Sequence, residues 1–251
     1  MERERLDILV QRQAGVSRSK AKGLVHTGHV FDARGNLLDK PGQRLPVDTR
    51  LDIREPEGYV SRGGDKLEAA LKAFAPPVEG CIAVDVGAST GGFTHCLLEH
   101  GAARVYAIDV GYGQLAWELR QDDRVVVMER RNIRHVPPGS LAPPPHFFTA
   151  DCSFISLRVV LPAVLPLLAR PCAGIVLIKP QFEAGRTQVG KGGVVRDAAV
   201  RRQVVEEVCN TARTLGFQEI DVIPSPLLGP AGNVEFLAYL HHFQGASEGP
   251  A

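Results

Sequence analysis

The chain has 251 residues, 44% of them hydrophobic, with 29 Lys plus Arg against 28 Asp plus Glu and a net charge of +1. That length and apolar share allow one large domain or a large and a small one, and the near-zero charge excludes a globally basic nucleic-acid binder, so any such surface is a local patch. Cysteines at 81, 96, 152, 172 and 209 form no CxxC pair and have no His cluster nearby, which predicts reduced, mostly buried thiols in a cytoplasmic protein and no bound metal.

In chain order, Arg5–Asp7 opens a short helix that ends near Gly15. Ser17 is a plausible N-cap for a second helix with Ala21, Leu24 and Val25 on its buried face. An extended run over His29–Asp32, a turn at Arg34–Asn36 and short strands near Leu45 and Leu51–Ile53 suggest a small sheet. Between Ile8 and Phe31 stand Arg12, Arg18, Lys20 and Lys22 with no acid, a compact positive stripe whose ordinary explanation is a solvated face. The order RLDILVQR (5–12), SRSKAKGLVHTGHVFD (17–32) and KPGQRL (40–45) resembles the S4 RNA-binding domain, with a longer hairpin at Phe31–Asn36 than is usual there. That resemblance implies binding of structured RNA through Arg3, Arg5, Arg12, Arg18, Lys20 and Lys22, which would contact phosphates and read shape. Residues 1–57 are expected to form this small α+β domain, with 58–64 as a linker.

Beyond the linker, Leu67, Ala70, Leu71 and Phe74 recur at helical spacing. Strands are then predicted at 82–86, 104–109, 124–128, 146–150, 174–179, 218–223 and 234–241, with helices between them. This predicts a doubly wound α/β sheet, mainly parallel, over residues 65–244. The Pro/Gly loop 224–232 is too short for a helical crossover, so the last two strands should pair antiparallel. Such a seven-stranded sheet is the plan of Rossmann-like class I methyltransferases. The apolar stretch Val159–Ala169 is too short to span a bilayer and carries two prolines. Residues 245–251 read as a disordered tail.

The most informative stretch is 82–109. A strand stops at the turn Gly87–Gly92, a helix follows with Phe93, Cys96 and Leu97 on one face, and a second strand ends on Asp109, roughly 20 residues after the turn. Glycines let backbone approach a ligand, and an acid at that position can accept both hydroxyls of a ribose. The turn is not GxGxxG, so a nucleoside without a pyrophosphate fits better than a dinucleotide. S-adenosyl-L-methionine is the common one, and a generic Rossmann turn of other ligand is the competing reading.

Reacting groups in an open α/β sheet gather outside the carboxyl ends of its strands. Asp151, Lys179 and Glu235 fall at that edge, and Lys66 could fold over it. Each alone reads as a structural ion pair, but two lysines and two carboxylates at one edge suggest chemistry. The set resembles the Lys-Asp-Lys-Glu tetrad of RrmJ-like ribose 2′-O-methyltransferases. More widely, SRGGDKLEAAL (61–71), VDVGASTGGFT (84–94), DVGYGQLAWELR (109–120), DCSFISL (151–157), KPQFEAGR (179–186), GKGGVVRD (190–197) and SPLLGPAGNVEF (225–236) resemble the TlyA family in order. That resemblance implies an S-adenosylmethionine-dependent ribosomal RNA cytidine-2′-O-methyltransferase with Lys66, Asp151, Lys179 and Glu235 as catalytic residues. Lys179 is the candidate base, with Asp151 and Glu235 holding the lysines, and no metal is needed.

On the same reading Asp85, Gly87, Ala88, Ser89, Thr90, Gly91 and Phe93 line the methionine and ribose end of the cofactor. Asp109 takes the ribose hydroxyls, Val110 lies beside the adenine and Asn132 meets its edge. Phe154 flanks the target nucleotide or the sulfonium, or else is a core aromatic. Residues 185–197, with Arg186, Lys191 and Arg196, form either a mobile basic loop that closes on RNA or a plain solvent loop. Family members divide into a shorter group acting on large-subunit RNA and a longer group acting on both subunits. The short ends of this chain suggest the former.

Three rival readings compete. Asp151–Phe154 has the spacing of the (Asp/Asn)-Pro-Pro-(Phe/Tyr) motif of amine methylation but lacks both prolines. Pro171-Cys172 matches the Pro-Cys nucleophile of cytosine C5 enzymes but lies at the amino end of a strand. A non-catalytic RNA-binding or ribosome assembly factor would need neither the turn nor the tetrad. The family also carries the label haemolysin, yet no membrane-active segment is legible.

Overall fold

A computed structural model describes residues 2–16, 18–26, 28–54 and 58–243. Ser17, the three residues 55–57 of the chain between the two folded parts, and the 245–251 tail lie outside the described residues. The chain divides into two compact units at Arg62/Gly63.

The first unit runs β1 (Arg3–Arg5), α1 (Leu6–Ala14), α2 (Arg18–His26), β2 (Val30–Asp32), β3 (Arg44–Pro46) and β4 (Leu51–Ile53). β1 pairs antiparallel with β3, and β2 with β4. Leu6 and Val10 of α1 meet Ala21, Leu24 and Val25 of α2 over Val30 and Leu38, so the apolar stripe expected on the second helix is the core of the unit. Gly15 ends α1 with φ 65°, a left-handed position that glycine takes without strain. Asp7 is buried and accepts from Arg5 at 2.9 Å and Arg18 at 3.2 Å, tying the starts of the two helices together. The Arg5 hydrogen bond, ahead of any other influence, holds its carboxyl below the usual range.

The second unit runs α3 (Gly63–Phe74), β5 (Ile82–Val86), α4 (Gly92–Glu99), β6 (Arg104–Ile108), α5 (Trp117–Arg120), β7 (Val125–Met128), β8 (Phe147–Ala150), α6 (Leu157–Val164), β9 (Ala173–Ile178), α7 (Pro180–Glu183), α8 (Ala198–Thr214), β10 (Phe217–Pro224) and β11 (Phe236–Phe243). The seven strands lie in the order β10-β11-β9-β8-β5-β6-β7. β5 to β9 run parallel, and β11 is antiparallel to both neighbours, as the short loop before it required. The expected seven-stranded α/β sheet is therefore present. The helix expected near Lys66 begins earlier, at Gly63, so the last two residues of the expected linker are already helical.

Central strands such as β9 are continuous apolar runs because helices cover both faces. Val84, Phe148, Val176 and Leu240 share one core with Val160 and Leu161 of α6 and Val204 and Val208 of α8. Gly174 is the one small residue that β9 needs, since a Cβ there would run into the Phe148 ring on β8. Gly174→Ala should therefore destabilise the second unit by about 1–3 kcal/mol through overpacking. Urea unfolding followed by far-UV circular dichroism measures this, and an unchanged midpoint would mean that the ring moves aside freely.

Candidate active site

The strand order explains where the polar residues meet. Asp109, Asp151 and Lys179 each follow directly on a parallel strand, at its carboxyl end. Glu235 precedes β11, and because Phe236 pairs with Ile178, the antiparallel register sets Glu235 opposite Lys179. Lys66 arrives from the first turn of α3 and donates to Glu235 at 2.6 Å. Lys179 lies 2.5 Å from Asp151 Oδ1 and donates to Ser153 at 3.2 Å. Asp151 Oδ1 itself accepts no directed hydrogen bond among the described residues, so the Lys179 contact is one of charge, off the hydrogen-bond direction. Lys66 and Lys179 are nearly buried and Glu235 wholly so. The structure thus assembles the four sequence-selected residues as two lysine–carboxylate pairs at one edge. Charges this deep persist only when paired.

Supporting residues were missed in the sequence because they act only after folding. Gln181 offers its amide to Glu235 at 3.5 Å, while its Oε1 is buried with no partner among the described residues. Gly229 is packed so closely that a Cβ would strike the Glu235 carboxylate. Glu183 accepts from the Ser156 hydroxyl at 2.5 Å and the Leu157 amide at 2.6 Å, joining the end of α7 to the start of α6. Burial pushes its carboxyl upward.

The glycine turn differs in detail from the sequence reading. Gly87 has φ 83°, and a Cβ on it would sit 2.6 Å from the Asp151 carbonyl. At Gly91, with φ 98°, a Cβ would collide with Leu115 and Leu119. These two glycines therefore let the turn close on the end of β8 and on α5, rather than chiefly admit a ligand. Asp85 is fully buried and accepts from Thr94 at 2.7 Å and Thr149 at 2.9 Å. It braces the turn from beneath and offers no open oxygen to a ligand. Phe93 is packed in the interior, against the expectation that it lines the cofactor, and Ala88 is largely covered too. Ser89 is exposed and Thr90 half-buried on the turn's outer side.

Asp109 fits its expected use better. Its carboxylate accepts the Ser89 amide at 2.8 Å and the Gly111 amide at 2.6 Å, which fixes its plane. A carboxylate has about four lone-pair directions, so two remain for ribose hydroxyls. Val110 beside it is 69% exposed and offers an apolar face to a purine. Asn132 caps a short turn by accepting the Arg134 amide at 3.1 Å, which commits its oxygen. The open acid, the exposed valine and the braced turn make a set that fits a nucleoside cofactor.

Phe154 is not a core aromatic. It is 91% exposed with φ 63°, a left-handed conformation that costs a bulky residue, and its ring stands 5.0 Å from that of Phe182. The basic stretch 185–197 is a built turn rather than a free loop. Gly190 bridges Val194, Val195 is buried, and Asn233 accepts the Val195 amide at 3.1 Å and donates to Gly193 at 2.9 Å. Arg186, Lys191 and Arg196 stand exposed along it. Cys172, just before β9, is at the opposite edge from Lys179, and burial pushes its thiol up to about 11.

In the first unit the expected stripe is partly occupied. Arg3 donates to the Arg44 carbonyl at 2.9 Å, Arg12 pairs with Glu4 at 2.9 Å, and Arg5 and Arg18 pair with Asp7. Arg18, Lys20 and Lys22 are exposed. At roughly 100° per residue, Arg18 and Lys22 share one flank of α2 and Lys20 stands on the other, so the charge forms two flanks and not one stripe.

This sheet, its reversed seventh strand and the acid-ended second strand define a Rossmann-like methyltransferase fold. The family model described as FtsJ-like methyltransferase matches residues 59–242. The protein YqxC of Bacillus subtilis is 48% identical over 242 residues, covering 95% of this chain and 86% of the relative. A protein of Mycobacterium tuberculosis named 16S/23S rRNA (cytidine-2′-O)-methyltransferase TlyA is 46% identical over 241 residues, covering 95% and 90%. A solved structure from Streptococcus thermophilus, 43% identical, superposes with a TM-score of 0.74 and covers 98% of this chain and 90% of that one. The chain belongs to the FtsJ-like methyltransferases, in the family that includes TlyA, YqxC and hemolysin A.

Burial sets one titration apart. Desolvation raises Asp85 from 3.8 to about 6, with the two threonine hydroxyls opposing it. Between about pH 4 and 6 the folded chain holds a proton that the unfolded chain releases, so this group costs stability as pH rises through that window. At about 1.4 kcal/mol per unit the cost reaches roughly 3 kcal/mol. Asp85→Asn cannot ionise and should escape this dependence. Urea midpoints of both proteins across pH 4–7 should therefore diverge, with the wild type falling relative to the variant, and parallel profiles would contradict the burial argument.

Proposed function

We propose that this chain is a ribosomal RNA (cytidine-2′-O)-methyltransferase that uses S-adenosyl-L-methionine. The observation that carries the proposal is the pair of buried lysine–carboxylate contacts at the carboxyl edge, Lys66 with Glu235 and Lys179 with Asp151. A ribose hydroxyl is a weak nucleophile that must be oriented and must lose its proton as its oxygen attacks. A lysine amine at a fixed edge can take that proton, whereas amine methylation has no need of two paired lysines.

Asp109 would hold the cofactor's ribose, Val110 its adenine, and Ser89 and Thr90 its amino-acid end. When bound, that cofactor supplies an electrophilic methyl with its own leaving group on sulfur. Once Lys179 Nζ has released a proton to solvent it accepts the 2′-hydroxyl proton, and Asp151 keeps that nitrogen at the edge and offsets the ammonium that results. Lys66 is held by Glu235 and directs its remaining N–H groups toward the hydroxyl oxygen. Alignment of these groups replaces the ordering that a solution reaction would require. Exposed Phe154 provides a stacking face for an unpaired nucleotide, and Arg186, Lys191 and Arg196 provide phosphate contacts.

We read the first unit as an S4-type RNA-binding domain, 58–62 as the end of the linker that was expected to run to 64, and the second unit, from Gly63, as the methyltransferase domain, acting on ribosomal subunits in the cytoplasm. Relatives named for both subunits and for the large subunit alone match the chain, at 46% and 30% identity respectively. Both substrates therefore stand among the named relatives, and the particle assay below separates them. No helix of the described residues is long and apolar enough to cross a membrane.

Labelled cofactor incubated with unmodified 30S and 50S particles should pass label to RNA with the wild type. Lys179→Ala should lose at least about 100-fold in rate, the scale of a general base, while calorimetric cofactor binding is retained. No label in either particle would sink the function, and an active Lys179→Ala would sink the base assignment alone. Replacing Lys20 and Lys22 by Ala should weaken RNA binding and flatten its dependence on salt by roughly one counterion per lost phosphate contact. An unchanged slope would make α2 a solvated face.

A further inference from the structure

Away from the strand edge, α3 and α4 bring three metal-ligating side chains together. Glu68 Oε2 lies 2.5 Å from His100 Nε2 and 3.9 Å from Cys96 Sγ, and all three ligand atoms fall within 4.8 Å of one another. Cys96 is fully buried, while the Glu68 and His100 side chains are 22% and 36% exposed, so the cluster has a closed floor and an open mouth. Lys72 takes the other oxygen of Glu68 at 2.8 Å, which turns Oε2 toward the sulfur and the imidazole.

We propose that Glu68, Cys96 and His100 form a zinc site. One thiolate, one carboxylate and one neutral imidazole give a borderline-soft donor set that suits Zn²⁺ and leaves it uncharged overall, with water completing a tetrahedron from the open side. Bonds of about 2.0–2.3 Å keep tetrahedral ligand atoms about 3.3–3.7 Å apart. The sulfur–oxygen separation is close to that range already, and the carboxylate and imidazole must part by about 1 Å as the ion replaces the hydrogen between them. Binding releases the Cys96 thiol proton to solvent and forms the zinc–sulfur bond, while the hydrogen between Glu68 and His100 passes through solvent to Nδ1, so the imidazole binds neutral through Nε2.

Cys96 and His100 are one helical turn apart, and His100 closes α4 by donating its amide to the Cys96 carbonyl at 3.1 Å. The pattern Cys-x-x-x-His is too sparse to signal a site, and the third ligand comes from another helix. That is why the sequence predicts no metal. A bound ion would pin α3, which carries Lys66 two residues before Glu68, to the helix that follows the glycine turn.

The test is a cobalt(II) titration of the chelator-stripped full chain, followed by absorbance. Stoichiometric binding should produce tetrahedral ligand-field bands and a near-ultraviolet thiolate-to-cobalt band. Cys96→Ser should abolish the thiolate band, and His100→Gln, at a partly exposed position that leaves the fold intact, should weaken binding at least about tenfold. Zinc should also raise the melting temperature of the wild type and not of Cys96→Ser. Absence of saturable binding overturns the proposal. So does a thiolate band that survives in Cys96→Ser, or binding with no thiolate band, which would move the ion to the sulfur-free cluster of Glu219, His241 and His242.

Discussion

The reversal of β11 is the constraint on which the candidate site depends. Were the sheet wholly parallel, only the carboxyl ends of its strands would reach the edge where ligands bind. Antiparallel pairing of Phe236 with Ile178 brings an amino end there instead, and with it Glu235, across from Lys179. A carboxylate wholly removed from water needs a cation, and Lys66 supplies one at 2.6 Å. Removing one member of such a pair costs about 3–5 kcal/mol, because the other is left buried and charged. The arrangement also explains why α3 lies where it does. Phe74 at its far end stacks on Tyr239 of β11 with ring centroids 5.7 Å apart, while Lys66 at its near end reaches over the edge.

A second layer of the same design lies under the glycine turn. Asp85 and Thr149 are register partners on adjacent strands, and Thr94 comes down from α4 to the same carboxylate. Strand, neighbouring strand and helix are thus joined by one buried acid. Gly87 lets this braced turn rest against the carbonyl of Asp151, so the glycine turn and the end of β8 are in close backbone approach.

Much of this was legible in the sequence because strand ends are marked by single polar residues after apolar runs. Asp109, Asp151 and Lys179 stand out in that way, and the short loop before Phe236 dictates the reversal that adds Glu235. What remained hidden depends on contacts across the fold. Nothing near Thr149 reveals that its register neighbour is an acid, and nothing near Gly229 reveals that Glu235 fills the space a side chain would take. Phe93 and Asp85 read as ligand contacts because they flank the turn, yet burial assigns both to its foundation. Phe154 was ambiguous between core and surface, since hydrophobicity alone does not distinguish them. Its positive φ and exposure appear only in three dimensions. The separation of basic charge onto two flanks of α2 was calculable from the helical period. The pairing of Arg18 with Asp7, which comes from the preceding helix, was not.

In the proposed function, two lysine–carboxylate pairs at one sheet edge carry out chemistry on a ribose hydroxyl. The most direct measurement is mass spectrometry of nucleosides released from ribosomal RNA after reaction with isotopically labelled S-adenosylmethionine. The label should reside on the sugar fragment of cytidine, at the 2′-oxygen. Label recovered on a base fragment, at a ring carbon or an exocyclic amine, would contradict the proposed function.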